Sequence, residues 1–240
     1  MTPRASRTCA DAEGTHEQVC PSVFVVGGPD LSDERDCLVY ALDLGDLVLV
    51  DCGCGPGWPR IRANIRSAGL DPATIHTLVL THAHIDHAGA ATRVVSETGC
   101  RVVAHTLDAD AISGGDPARS AADWYGMDLE PVAVDLRVAG DEQTVPFAQG
   151  SLRLLHTPGH TPGSMVAVLD RPAGHVLFGQ DVHGPFHPQF GSDVAAWRRS
   201  MARLLELDAD ILCEGHFGVF RGRDAVRRFI EGQLAAHRGS

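Results

Sequence analysis

The chain has 240 residues, a formal net charge of −11 and 44% hydrophobic residues. This composition predicts a globular protein, and the acidic balance argues against a nucleic-acid partner, because binding to phosphates requires a basic surface. All 20 basic residues are arginine, which excludes lysine chemistry such as Schiff-base formation and phosphate-loop lysines.

The N-terminal segment is polar and aperiodic. We therefore predict a loose tail over residues 1–21 and a single domain over residues 22–240. The tail lacks the apolar region of a secretory signal, and no stretch approaches the roughly 18 apolar residues of a membrane helix. The seven cysteines are irregularly spaced and odd in number, which indicates reduced thiols. We expect a cytoplasmic protein with no membrane partner.

Apolar runs and turn signals predict strands and helices in the first half of the chain. SVFVV predicts a strand, and CLVYALDLGDLVLVD predicts two strands joined at Gly45–Asp46. WPRIRANIRSAG spaces Ile61 and Ile65 on one helix face and ends at Gly69. IHTLVL and RVVA predict buried strands on either side of a helix over AGAATRVVSETG.

The second half repeats this order after an irregular segment. We predict that residues 105–150 form an insertion that contacts the substrate, with Trp124, Tyr125 and Met127 as pocket candidates and local core packing as the alternative. Strands are predicted at SLRLLH, SMVAVLD, HVLFG and DILC. Helices are predicted at SDVAAWRRSMARLLEL, with Ser192 as N-cap, and at RDAVRRFIEGQLAA. The two similar halves predict an α/β fold in which two packed β-sheets carry helices on their outer faces.

THAHIDHAG follows a predicted strand and concentrates metal-binding side chains. It places His82, His84, Asp86 and His87 within six positions. Neutral imidazoles and carboxylates are ligands for zinc and iron. One such residue can be a core or surface histidine whose ring nitrogens are hydrogen-bonded. That explanation does not account for four metal-binding residues in so short a segment. The segment therefore predicts a metal site.

Three more candidate ligands each follow an apolar run. His160 lies in LLHTPGHTPGS, Asp181 in VLFGQDVHG and His216 in ILCEGHFG. Each would lie at the end of a strand, where ligands from different strands can gather. Asp51, in LVLVDCGCG, also follows a predicted strand.

Taken together, these motifs resemble those of the metallo-β-lactamase superfamily. The resemblance covers roughly residues 22–240 and implies an αββα four-layer sandwich of two mixed β-sheets flanked by helices. It also implies a dinuclear site in which Asp51 supports the ligands without binding metal. The implied first metal is held by His82, His84 and His160, the second by Asp86, His87 and His216, with Asp181 bridging them.

The resemblance further implies hydrolysis by a metal-bridging hydroxide. Two cations lower the pKa of a shared water from 15.7 toward about 7, so no serine or cysteine nucleophile is needed. We expect two Zn2+ ions, with Mn2+ or Fe2+ as alternatives. Because the chain is similar to glyoxalase II, lactonases and thioesterases, the expected substrate is a small-molecule ester, thioester or lactone.

Two residues are candidates for direct roles in the reaction. Asp86 would act at the metals, and His183 would line the pocket or donate a proton to the leaving group. Incidental histidines in a loop remain the alternative for His183 and His187. Cys52 and Cys54 are interpreted as buried thiols, with soft-metal binding or redox sensing as the alternative.

Other functions remain open. The same motifs resemble persulfide dioxygenases, which would hold a single iron with His82, His160 and Asp181. A phosphodiesterase and a non-catalytic effector-binding protein are further alternatives. A secreted β-lactamase is disfavoured because no signal peptide is recognised and the ligand set departs from that of true lactamases. The oligomeric state is left open, with a homodimer as one option.

Overall fold

A computed structural model describes residues 14–172 and 174–238, which build two mixed β-sheets. The first sheet has seven strands whose spatial order follows the chain: β1 (Glu17–Cys20), β2 (Val23–Gly27), β3 (Val39–Asp43), β4 (Leu47–Val50), β5 (Ile75–Val79), β6 (Arg101–His105) and β7 (Leu136–Val138). The second sheet has six strands: β8 (Glu142–Phe147), β9 (Gly150–His156), β10 (Met165–Arg171), β11 (Gly174–Gln180), β12 (Ile211–Glu214) and β13 (Val219–Arg221).

Helices connect many of these strands. The α-helices are α1 (Trp58–Ser67), α2 (Ile85–Ala88), α3 (Ala91–Thr98), α4 (Thr106–Gly114), α5 (Ala122–Tyr125), α6 (Val194–Glu206) and α7 (Arg223–Ala236). Short 3-10 turns lie at Pro72–Thr74 and Pro188–Phe190. Within the described part of the chain, no helix has the length and apolarity needed to cross a membrane.

Three apolar layers hold the sheets and helices together. Tyr40 and Phe178 belong to the layer between the two sheets, and their rings meet edge to face at 5.5 Å. Trp58 of α1 packs into the layer outside the first sheet, and Trp197 of α6 packs into the layer outside the second. Full burial of one large apolar side chain contributes roughly 1.5–3 kcal/mol. The order helix, sheet, sheet, helix confirms the predicted four-layer sandwich.

Parallel strand pairs bring several loops to one edge of the sandwich. β4 runs parallel to β5, and β11 runs parallel to β12, so the carboxyl ends of each pair lie side by side. Asp51 follows β4 and the His82–His87 segment follows β5. Asp181 follows β11, and His216 follows β12. The topology therefore collects the predicted ligands at one place.

The first strand lies inside the predicted loose tail. Glu17–Cys20 forms β1 and pairs antiparallel with β2, so the predicted tail boundary at residue 21 is wrong for these residues. The apolar sequence pattern of this strand is weak, because Val19 is its one buried residue. The rest of the predicted tail, residues 1–13, lies outside the described residues.

Other features also differ from the predictions, among them the short strands β7 and β13, which the sequence patterns do not predict. β8 was not predicted, since it is an edge strand in which only Val145 is buried and Pro146 interrupts the strand signal. The predicted N-cap Ser192 is wrong, because Asp193 caps α6 by accepting from the Ala196 N–H at 2.9 Å. The Ser192 hydroxyl instead donates to the His160 carbonyl at 2.6 Å, which ties the α6 entry to the metal-site loop.

Candidate metal centre

The predicted ligands converge in two adjoining groups. His82, His84, His160 and Asp181 are all buried and present ligand atoms within 4.8 Å of one another. In this group, His160 Nε2 lies 2.9 Å from His84 Nδ1. Asp181 Oδ2 lies 3.5 Å from His160 Nε2 and 4.0 Å from His82 Nε2.

The second group lies around the other oxygen of the same aspartate. Asp181 Oδ1 lies 3.1 Å from His87 Nε2 and 3.2 Å from His216 Nε2. Asp86 Oδ2 lies 3.3 Å from His216 Nε2 and 3.6 Å from His87 Nε2. The two carboxylate oxygens of Asp181 therefore face different groups of histidines.

These spacings fit bound metal ions. Two ligands placed 2.0–2.1 Å from one tetrahedral zinc lie about 3.4 Å apart, which is within the range of distances observed in both groups. The buried Nε2 of His82 has no hydrogen-bond partner among the described residues, although a buried polar atom ordinarily finds one. Neutral imidazole nitrogens and carboxylate oxygens form a donor set suited to zinc or iron. The residues present therefore fit the metal ions that the sequence resemblance implies.

Outer contacts fix the orientation of the ligand rings. The Asp51 carboxylate lies 2.8 Å from His87 Nδ1 and also accepts from the Thr81 N–H at 2.8 Å. The Pro185 carbonyl lies 2.7 Å from His160 Nδ1. Such partners select the tautomer of a metal-binding histidine and hold its ring in place. Asp51 thus has the supporting position that the sequence resemblance implies.

Burial and neighbouring charges shift the pKa values of the candidate ligand histidines in opposite directions. Burial lowers the pKa of His82, His84 and His160, that of His84 to about 3, which keeps these rings neutral. Burial also opposes protonation of His216, but the nearby Asp181 raises the pKa of His216 to about 10. The protons held by such groups are released when a metal binds, because ligands must be deprotonated.

A cleft leads to these ligands, and its walls are partly aromatic. It is lined by His84, Asp86, Ala121, Trp124, Tyr125, Asp181, His183, Pro185, Phe190 and His216. Trp124 and Phe190 have ring centroids 4.7 Å apart. Burial raises the pKa of the Tyr125 hydroxyl and the nearby Asp86 carboxylate raises it further, so this hydroxyl stays protonated. Trp124 and Tyr125 thus line the cleft, whereas Met127 packs against the core outside the first sheet.

The two candidate loop histidines have different surroundings. His183 lines the cleft, and its Nδ1 lies 2.7 Å from Oε1 of the fully buried Glu214. The other Glu214 oxygen accepts from the His216 N–H at 2.6 Å, so one carboxylate holds both histidine segments. His187 caps the turn at Pro188–Phe190 by accepting from the Gln189 N–H. His183 is therefore the one of the two that can reach a substrate.

The C-x-C cysteines are buried beside the supporting residues. Cys52 Sγ lies 3.2 Å from the His87 carbonyl, and Cys54 Sγ lies 3.1 Å from Asp36 Oδ1. Burial raises the pKa of both thiols, which disfavours the reactive thiolate. These contacts agree with the interpretation of Cys52 and Cys54 as structural thiols.

Sequence reasoning missed two residues near the centre. Glu214 holds His183, and Asp108 of α4 bonds to two ligand-bearing loops. Glu214 lies two positions before His216, which was the one local signal available. Nothing in the sequence around Asp108 marks it, because its partners are at least 25 positions away.

Comparison of the sequence with known proteins identifies a matching family model and several relatives. A model of the metallo-β-lactamase superfamily matches residues 33–216. The N-acyl homoserine lactonase AttM of Azorhizobium caulinodans is 29% identical over 119 residues, which cover 46% of this chain and 44% of the lactonase. An uncharacterised protein of Mycobacterium leprae is 28% identical over 217 residues, which cover 86% of this chain and 97% of that protein.

The fold also matches solved structures. A HARLDQ-motif mutant of a metallo-β-lactamase from Cronobacter sakazakii aligns with a TM-score of 0.79 and 25% identity, covering 93% of this chain and 95% of that one. The chain spans about half the length of the first curated relatives that it matches.

Proposed function

Because the chain belongs to the metallo-β-lactamase superfamily, we propose that it is a dinuclear metal hydrolase that cleaves a small-molecule ester, thioester or lactone. The observation that carries this proposal is the Asp181 carboxylate. One of its oxygens faces His82 and His160, and the other faces His87 and His216. A carboxylate shared in this way supports two adjacent metal positions, the arrangement used in two-metal hydrolysis.

The side chains around the cleft support a division of roles. When bound, a pair of divalent ions would supply a hydroxide at neutral pH by lowering the pKa of a shared water. Hydrolysis adds water to the acyl carbon, breaks the bond to the leaving group and delivers a proton to the leaving atom. His183, held by Glu214, faces the cleft and is proposed to provide that proton. Asp86 is proposed to hold the second metal.

The cleft favours an uncharged substrate. Its described lining contains no arginine, and the chain has no lysine. Recognition of carboxylates and phosphates ordinarily uses such cations. Apart from the proposed metal ions, the cleft thus lacks cations for anionic groups remote from the scissile bond, so we propose a neutral ester or lactone. The partial relative AttM is named as an N-acyl homoserine lactonase, and such lactones carry no charge.

Localisation in the cytoplasm remains part of the proposal. Six cysteines in the described residues are free, and five of them are buried. Unpaired cysteines are typical of a reducing compartment.

Metal removal tests the proposed reaction. We expect dialysis against a strong chelator to reduce hydrolysis of a neutral lactone or 4-nitrophenyl ester by at least about 100-fold, because the hydroxide depends on the metals. Zinc, manganese or iron added back should restore the rate. Hydrolysis is followed by absorbance or by pH indicator. An ester activity that survives complete metal removal would contradict the proposal.

Trp124 is predicted to bind the apolar part of the substrate. Its side chain is 53% exposed at the cleft mouth, where a substrate group can cover it. For Trp124→Ala we expect KM to rise about tenfold for an aromatic or long-chain ester while kcat changes little, because the lost contact is uniform binding. Leu107→Ala is the control, since Leu107 is 48% exposed but lies outside the cleft lining. An equal effect of both variants would be evidence against this assignment.

A further inference from the structure

Asp108 is a buried carboxylate outside the proposed ligand set. It lies in the first turn of α4 and is 1% exposed. Oδ2 accepts from the Ala83 N–H at 3.2 Å and from the Thr161 hydroxyl at 2.7 Å. Oδ1 accepts from the Gly163 N–H at 2.9 Å. One side chain therefore collects three hydrogen bonds from two loops.

These two loops carry all three histidines of the first group. Ala83 lies between His82 and His84, and Thr161 follows His160 directly. The first loop leaves β5 of the seven-stranded sheet, whereas the second connects β9 and β10 of the six-stranded sheet. The two loops must keep a fixed separation if the three imidazoles are to converge.

We propose that Asp108 is a positioning residue. It holds these two loops at a fixed separation and so orients the imidazoles of His82, His84 and His160 toward the first metal position. This inference rests on the metal site of the proposed function. It concerns residues that contact neither metal nor substrate. Second-layer partners of this kind typically change metal affinity or activity by 10–100-fold when they are lost.

The surroundings of Asp108 are shaped around its carboxylate. A Cβ on Gly163 would come within 2.6 Å of Asp108 atoms, so glycine is needed for the loop to approach this closely. Arg119 places a guanidinium nitrogen 3.6 Å from Oδ1 and partly balances the buried charge. A buried carboxylate is costly unless it is paired and hydrogen-bonded, and these contacts supply both requirements.

The fold does not depend on Asp108 alone. The Met165 N–H at the start of β10 donates to the Thr81 carbonyl at 3.0 Å, which is a second link between the first loop and the second sheet. Asp108→Asn has the same shape but turns one acceptor into a donor facing an N–H or hydroxyl donor. We therefore expect this variant to fold with a loosened metal site.

Zinc affinity tests the proposal directly. Competition with a chromophoric zinc chelator is expected to show zinc binding to Asp108→Asn that is weaker by about 10–100-fold. Asp110→Asn is the matched control, because Asp110 lies on the same helix with its side chain 76% exposed, and it should stay within about twofold. Thr161→Val removes one of the three hydrogen bonds and should have a smaller effect. Unchanged zinc affinity in folded Asp108→Asn would overturn the proposal.

Amide hydrogen exchange gives a readout that needs neither metal nor activity. In metal-free protein, the Ala83 and Gly163 amides should exchange faster in Asp108→Asn than in wild type. The Met165 amide, which bonds to Thr81, should remain protected in both proteins. Unchanged protection at Ala83 and Gly163 would overturn the proposal. If wild-type protein binds none of zinc, manganese and iron, but Asp108→Asn still shows these exchange changes, the result contradicts the proposed function while supporting the role of Asp108 in holding the two loops.

Discussion

Replacement of Asp181 by alanine is expected to disrupt both metal positions and to lower kcat/KM by about 1,000-fold, equivalent to ~4 kcal/mol. The reason is that its two oxygens face both groups of histidines, at distances of 3.1–4.0 Å. Without the shared carboxylate, each group loses a ligand, and among the proposed ligands Asp86 alone is left to balance the charge of two neighbouring cations. Plasma mass spectrometry should then find well below two metal ions per chain.

Asp170→Ala provides the control for Asp181→Ala. Asp170 lies on β10 and is 44% exposed, and it pairs with Arg153 away from the cleft. We expect this variant to keep wild-type metal content and wild-type kcat/KM. Circular dichroism of both variants checks that they are folded. An Asp181→Ala protein that retained two ions and full activity would refute the bridging role.

Replacement of His216 by alanine is expected to remove one metal ion and leave the other. His216 faces Asp86 and Asp181 in the second group and makes no contact with the three histidines of the first. Because its side chain is 29% exposed at the rim, its loss should not unfold the protein. We expect kcat/KM to fall about 100-fold, since one metal alone activates water less well.

The His216→Ala variant also distinguishes a dinuclear hydrolase from a dioxygenase that holds a single iron. A single iron held by His82, His160 and Asp181 does not need His216, so a dioxygenase would keep most of its oxygen uptake in His216→Ala. His76→Ala is the control, because His76 is an exposed histidine on β5. Loss of ester hydrolysis in His216→Ala but not in His76→Ala supports the dinuclear hydrolase. Full activity in both variants would contradict it.

Much of the site could be predicted because its ligands follow local signals. His82 to His87 form a dense motif directly after an apolar strand, and His160, Asp181 and His216 each follow another predicted strand. Strand ends of parallel pairs gather at one edge, so the order of elements already indicates convergence. The four-layer fold was predictable for the same reason, since the two halves repeat strands and helices.

Other features depend on tertiary contacts that sequence patterns do not carry. Asp108 bonds to partners 25, 53 and 55 positions away, and Glu214 meets His183 across 31 positions. The edge strands β8 and β13 have few buried side chains, so their apolar pattern is weak. The sequence indicates Tyr125 as a pocket candidate, but its place in the cleft wall beside Asp86 follows from the one-turn helix α5.

Metal content tests the central claim most directly. Protein purified without added metal is analysed by plasma mass spectrometry, and metal-free protein is then titrated with zinc while lactone hydrolysis is followed. A dinuclear hydrolase predicts about two ions per chain, with activity rising as the second ion binds. About one iron per chain, together with oxygen uptake on a persulfide and no gain in hydrolysis from zinc, would contradict the account.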